Sequence, residues 1–135
     1  MADVPVIFQA GIAQFGDHAP IERDEDIRAI GEGLLARTLP REAWTHEAHL
    51  AACLWLLTER PDIDIDADIG PIIRRFNESV GGVNDDHNGY HDSITRAYVA
   101  GVRLFLSETA ETDLAARVNA LLLSPMGARD WPLRF

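Results

Sequence analysis

Apolar positions recur at helical spacing through most of the chain. Within 23–37 they are Ile27, Ile30, Leu34 and Leu35, and the acids Asp24, Glu25 and Asp26 fall in the first turn, where the helix dipole favours negative charge. A second and longer helix is expected over 41–60, because Pro40 suits a first helical position and Pro61 ends the run. Thr45 offers a competing N-cap several residues inside it. The Asp62-Ile63-Asp64-Ile65-Asp66 run alternates like a strand but has no partner strand in the sequence, so it reads as a loop. A third helix follows over 68–80, with Ile72, Ile73 and Phe76 on its apolar face, Pro71 tolerated only near its start, and Gly81-Gly82 as its stop. The 81–89 segment is rich in Gly, Asn and Asp and reads as a turn. Two further helices are expected over 90–106 and 112–123, the last closed by Pro125. Residues 4–15 show no helical period, and a turn reads at 16–20. The pattern predicts an all-α, single-domain bundle of four or five helices over 1–135, with 1–20 as a less regular N-terminal arm.

Helix phase turns this outline into a site. At about 100° per residue, Glu42, His46, His49, Cys53, Leu56 and Leu57 form one stripe of the second helix, polar first and then apolar. Its other faces carry Trp44, Ala48, Ala51, Ala52, Leu54 and Trp55, so this helix should lie at the centre of the bundle. The fourth helix repeats the design, with His91, Thr95, Tyr98, Val102, Phe105 and Leu106 on one face. Short connections make successive helices antiparallel, which leaves the second and fourth parallel with their N-terminal ends together. His46, His49 and His91 are therefore expected at one end of the bundle, walled by Trp44, Thr45, Tyr90, Ser93, Thr95 and Tyr98.

Composition narrows what such a site can serve. With 12 basic against 22 acidic residues, the net charge of -10 opposes binding to nucleic acid or to anionic membrane surfaces, both of which need a positive field. Cys53 is the one cysteine and cannot form an intrachain disulfide, no run is long and apolar enough to cross a bilayer, and no signal-like segment follows Met1. A cytoplasmic protein is expected, with a small molecule as partner and a homodimer compatible with the pattern.

Three chemistries remain open for the histidines. In the first, His46 and His49, three residues apart on one helix face, join His91 as ligands of a divalent transition metal such as Zn, Fe or Ni, with Glu42 as a fourth ligand or as an acceptor fixing the tautomer. The spacing is one residue short of H-E-x-x-H, and Ala43 and Asn88 stand where di-iron bundles need Glu, so neither of those motifs is present. In the second, no metal is needed: His46, His91, Tyr90 and Thr95 act as acid–base groups while Trp44, Thr45 and Tyr98 bind the ligand. In the third the histidines are structural, or the chain is an interaction module. Cys53, among Leu50, Leu56 and Leu57, reads as a core thiol, and His18 and His87 as loop side chains. Arg74, Arg75 and Asn77 are secondary candidates for contact with a ligand.

The run Thr38-Leu39-Pro40, then Trp44-Thr45-His46, His49-Leu50, Phe76-Asn77, Gly89-Tyr90-His91, Ile94-Thr95 and Pro132-Leu133-Arg134-Phe135 resembles a family of small uncharacterised bacterial proteins. The likeness covers 33–135, and Ser93 stands where the family pattern has Thr. The resemblance implies a recurring site at Trp44, Thr45, His46, His49, Tyr90, His91 and Thr95, and adds no reaction.

Overall fold

A computed structural model describes residues 21–84 and 91–134, and these form five α-helices with no strand among them. They are α1 Asp24–Ala36, α2 His46–Glu59, α3 Ile65–Ser79, α4 Asp92–Glu108 and α5 Leu114–Leu123, joined by 3-10 turns at Arg41–Ala43, Pro125–Gly127 and Trp131–Arg134. The N-terminal arm, Tyr90, His18 and His87 lie outside the described residues. No described helix is long and apolar enough to cross a membrane.

Local capping sets the helix starts and corrects two of them. The 41–60 run divides, because Thr45 adopts extended backbone and its hydroxyl accepts from the Ala48 amide at 3.1 Å, so the α-helix begins at His46 and Arg41–Ala43 closes only one 3-10 turn. The acidic alternation at 62–66 is not a loop throughout. Asp64 caps α3 by accepting from the Ala67 amide, and Ile65, expected in that loop, is buried in the first turn. Pro71 consequently sits in the second turn of α3 rather than at its start, at the cost of one backbone donor. Asp113 caps α5 in the same way as Asp64 caps α3.

As its all-round apolar pattern requires, α2 is central: every residue from Leu50 to Leu56 is buried, and the helix packs against α1, α4 and α5. One core cluster draws on all five helices, through Ile27, Leu54, Ile69, Val102 and Val118 among others. A smaller cluster joins Leu34, Ala52 and Phe76. α2 and α4 run parallel, since His46 meets Tyr98 near their N-terminal ends and the Arg103 charge reaches Cys53 one to two turns further along both.

After α5 the chain turns back across this pair. The Trp131 indole donates to the Ala97 carbonyl at 3.0 Å, and Arg129 pairs with Glu47 at 3.7 Å. Two glycines permit the close fit. A Cβ on Gly101 would run into the Trp131 indole, and one on Gly127 would overlap the Leu121 carbonyl.

Candidate functional site

Between α1, α2, α3 and α4 lies a cavity of about 380 Å³, within the size range of small-molecule sites. Its body is apolar, formed by Leu34 of α1, Leu50, Ala52 and Leu56 of α2, Ile69 and Ile73 of α3, and Val99 of α4. Its polar end brings together His46, His49, His91, Thr95 and Tyr98, with Trp44 beside them. These side chains come from the N-terminal turns of two parallel helices, and their convergence follows from that pairing.

Each α2 histidine is held by a carbonyl. His46 places Nε2 at 2.8 Å from the Gly127 oxygen, so that nitrogen carries the proton and donates. His49 does the reverse: Nδ1 lies 2.6 Å from the Thr45 oxygen and donates to it, so Nε2 holds the lone pair. Trp44 stacks on the His49 ring at 3.8 Å between centroids and 28° between planes, and itself meets Phe76 edge to face. His49 is exposed by surface area, although its ring is crowded by protein and stacked under Trp44. Loss of bulk water is the main influence on it and pushes its pKa down, to about 4; the His46 charge acts in the same direction, against the Thr45 carbonyl and Glu47.

Tyr98 is half-buried and its hydroxyl lies 3.1 Å from both the Ala128 and Arg129 carbonyls, to which it donates. Burial pushes its pKa up to about 12, with Arg129 opposing and Asp130 adding. Cys53 lines the cavity, and burial raises its thiol to about 12 against the pull of Arg103. Both groups are therefore protonated near neutral pH. His91 caps α4 through its backbone and is exposed, and Thr95 one turn on is half-buried.

Several expected site residues sit differently. Thr45 does not line the cavity; its hydroxyl caps α2 and its carbonyl fixes His49, so it positions the site. Glu42 is exposed and lies before the break at Trp44, which removes the helical register that put it under His46. Arg74 and Arg75 are exposed, and Asn77 donates to Asn84 at 3.0 Å; none of the three lines the cavity. Among the described residues no three His, Cys, Asp or Glu side chains are grouped to hold a metal ion. Sequence reasoning missed the apolar body supplied by α1 and α3, and the tail carbonyls of Gly127, Ala128 and Arg129. The only sequence signal for the latter is Gly127 after Pro125, a tight turn beside a helix end.

Comparison of the chain with protein-family models, with curated proteins and with solved structures gives no match.

Proposed function

We propose that this chain binds a small, largely apolar molecule in the cavity between its helices, with the histidine end recognising the molecule's polar group. The observation that carries the reading is the cavity itself: about 380 Å³ of space with an apolar body and hydrogen-bonding rings at one end. A half-open apolar pocket of this size with a few convergent polar groups is the usual form of a small-molecule site. Any proton transfer at the site would run through the imidazoles, because burial keeps the Tyr98 phenol and the Cys53 thiol protonated.

The test is titration with Nile red, a neutral dye that brightens in apolar surroundings. Wild-type protein should bind it saturably, and Ile73→Trp, which adds bulk from a half-buried wall position of the cavity, should not. Absence of saturable binding to folded wild-type protein would defeat the reading.

A second reading draws on the same two rings. His46 and His49 each donate one ring N–H to a backbone carbonyl, the arrangement that commonly orients metal-ligating imidazoles. Zn, Fe or Ni held by His46, His49 and His91 would add a Lewis acid at the polar end. Stoichiometric metal in tag-free protein, with loss of stability on chelation, would favour it over the first reading; metal-free protein of unchanged stability would remove it.

A further inference from the structure

We infer that the cavity takes an uncharged molecule carrying a hydroxyl group at one end, an alcohol or a phenol, whose O–H is donated to Nε2 of His49. The inference rests on the small-molecule reading above and specifies the ligand's chemistry.

Hydrogen-bond polarity at His49, His46 and Tyr98 carries the argument. The Nδ1–H of His49 is fixed on the Thr45 carbonyl at 2.6 Å, so the nitrogen left for the cavity is an acceptor. The Nε2–H of His46 is engaged with the Gly127 carbonyl and the Tyr98 O–H with the Ala128 and Arg129 carbonyls, so the protons of these groups point away from a ligand. Thr95 can serve either role. Trp44 stacked on the His49 ring holds its plane and blocks one face, which leaves the in-plane lone pair as its means of recognition.

The lining also disfavours ionised groups. None of the described residues lining the cavity is Asp, Glu, Lys or Arg. A carboxylate or ammonium would enter an apolar space with no counter-ion, a large desolvation penalty with no compensating pair. A neutral hydroxyl meets the His49 acceptor and leaves no buried ion.

Calorimetric titration of the wild-type protein with 4-propylphenol, its methyl ether 4-propylanisole and 4-propylbenzoate tests this directly. The phenol should bind roughly five- to ten-fold more tightly than the ether, the size of one net hydrogen bond, and the benzoate most weakly. His49→Phe, which keeps an aromatic ring under Trp44 and removes the acceptor, should bring phenol and ether to the same affinity. Ile73→Trp should abolish binding of both. Equal wild-type affinities for phenol and ether, tighter binding of the benzoate, or phenol binding that survives Ile73→Trp would each overturn the inference while the Nile red result decides the broader reading separately. Failure of all three compounds to bind a protein that does take up Nile red would also overturn it.

Discussion

At the scale of single residues, His49 ties stability to pH. An unfolded imidazole titrates near about 6.5, whereas folded His49 titrates near about 4. Between those values the unfolded chain binds more protons, so stability is full above the upper value and falls as pH drops through the window. The exposed carboxylates add to the same trend at lower pH: hydrogen bonds from Arg28, Arg60 and Arg103 hold Glu59, Asp62 and Asp66 below their usual range. Urea midpoints should therefore decline from neutral pH to about pH 5, and His49→Gln should flatten that decline. A midpoint that rises on acidification would contradict the His49 environment. Thr45 gives a second test. Thr45→Ala should destabilise the protein by about 1 kcal/mol through loss of the α2 cap and leave cavity affinity within about two-fold, since the carbonyl that holds His49 survives the change. A direct ligand contact would show the opposite pattern, with affinity lost and stability kept.

At the scale of elements, the tail after α5 determines how well the polar end is ordered. Gly127→Ala should push the Pro125–Gly127 turn off Leu121, costing about 1–3 kcal/mol, and should move the His46 ring resonances in NMR spectra because the Gly127 carbonyl is displaced. What the sequence reveals and conceals also divides by element. The His stripe of α2 and the His91–Tyr98 face of α4 are side-chain patterns, and with short connections they are enough to bring His46, His49 and His91 to one end. The tail contributes backbone carbonyls, which leave no trace in any periodicity. The start of α3 was hidden for a different reason: Asp64 as a cap and Asp64 as one step of an alternating run are the same letter, and only burial of Ile65 separates them.

At the scale of the whole molecule, core and cavity are neighbouring parts of one packing arrangement with opposite responses to mutation. Leu54 is fully buried and does not line the cavity, so Leu54→Ala opens new space and should cost about 2–5 kcal/mol in equilibrium unfolding. Ile73 is half-buried and lines existing space, and Ile73→Phe should be near neutral in stability while weakening ligand uptake, a trade of function for stability. The five-helix class follows from periodicity, but a half-open pocket between helices depends on how four elements pack, and no spacing rule registers it. The bond between His46 and Gly127 joins positions 81 residues apart, and it divides the polar end into two independently held parts. His49 is fixed within its own helix by the Thr45 carbonyl, whereas His46 and Tyr98 depend on carbonyls that reach them only after α5 has joined the common core. Loosening the tail should therefore free His46 and Tyr98 while His49 keeps its orientation.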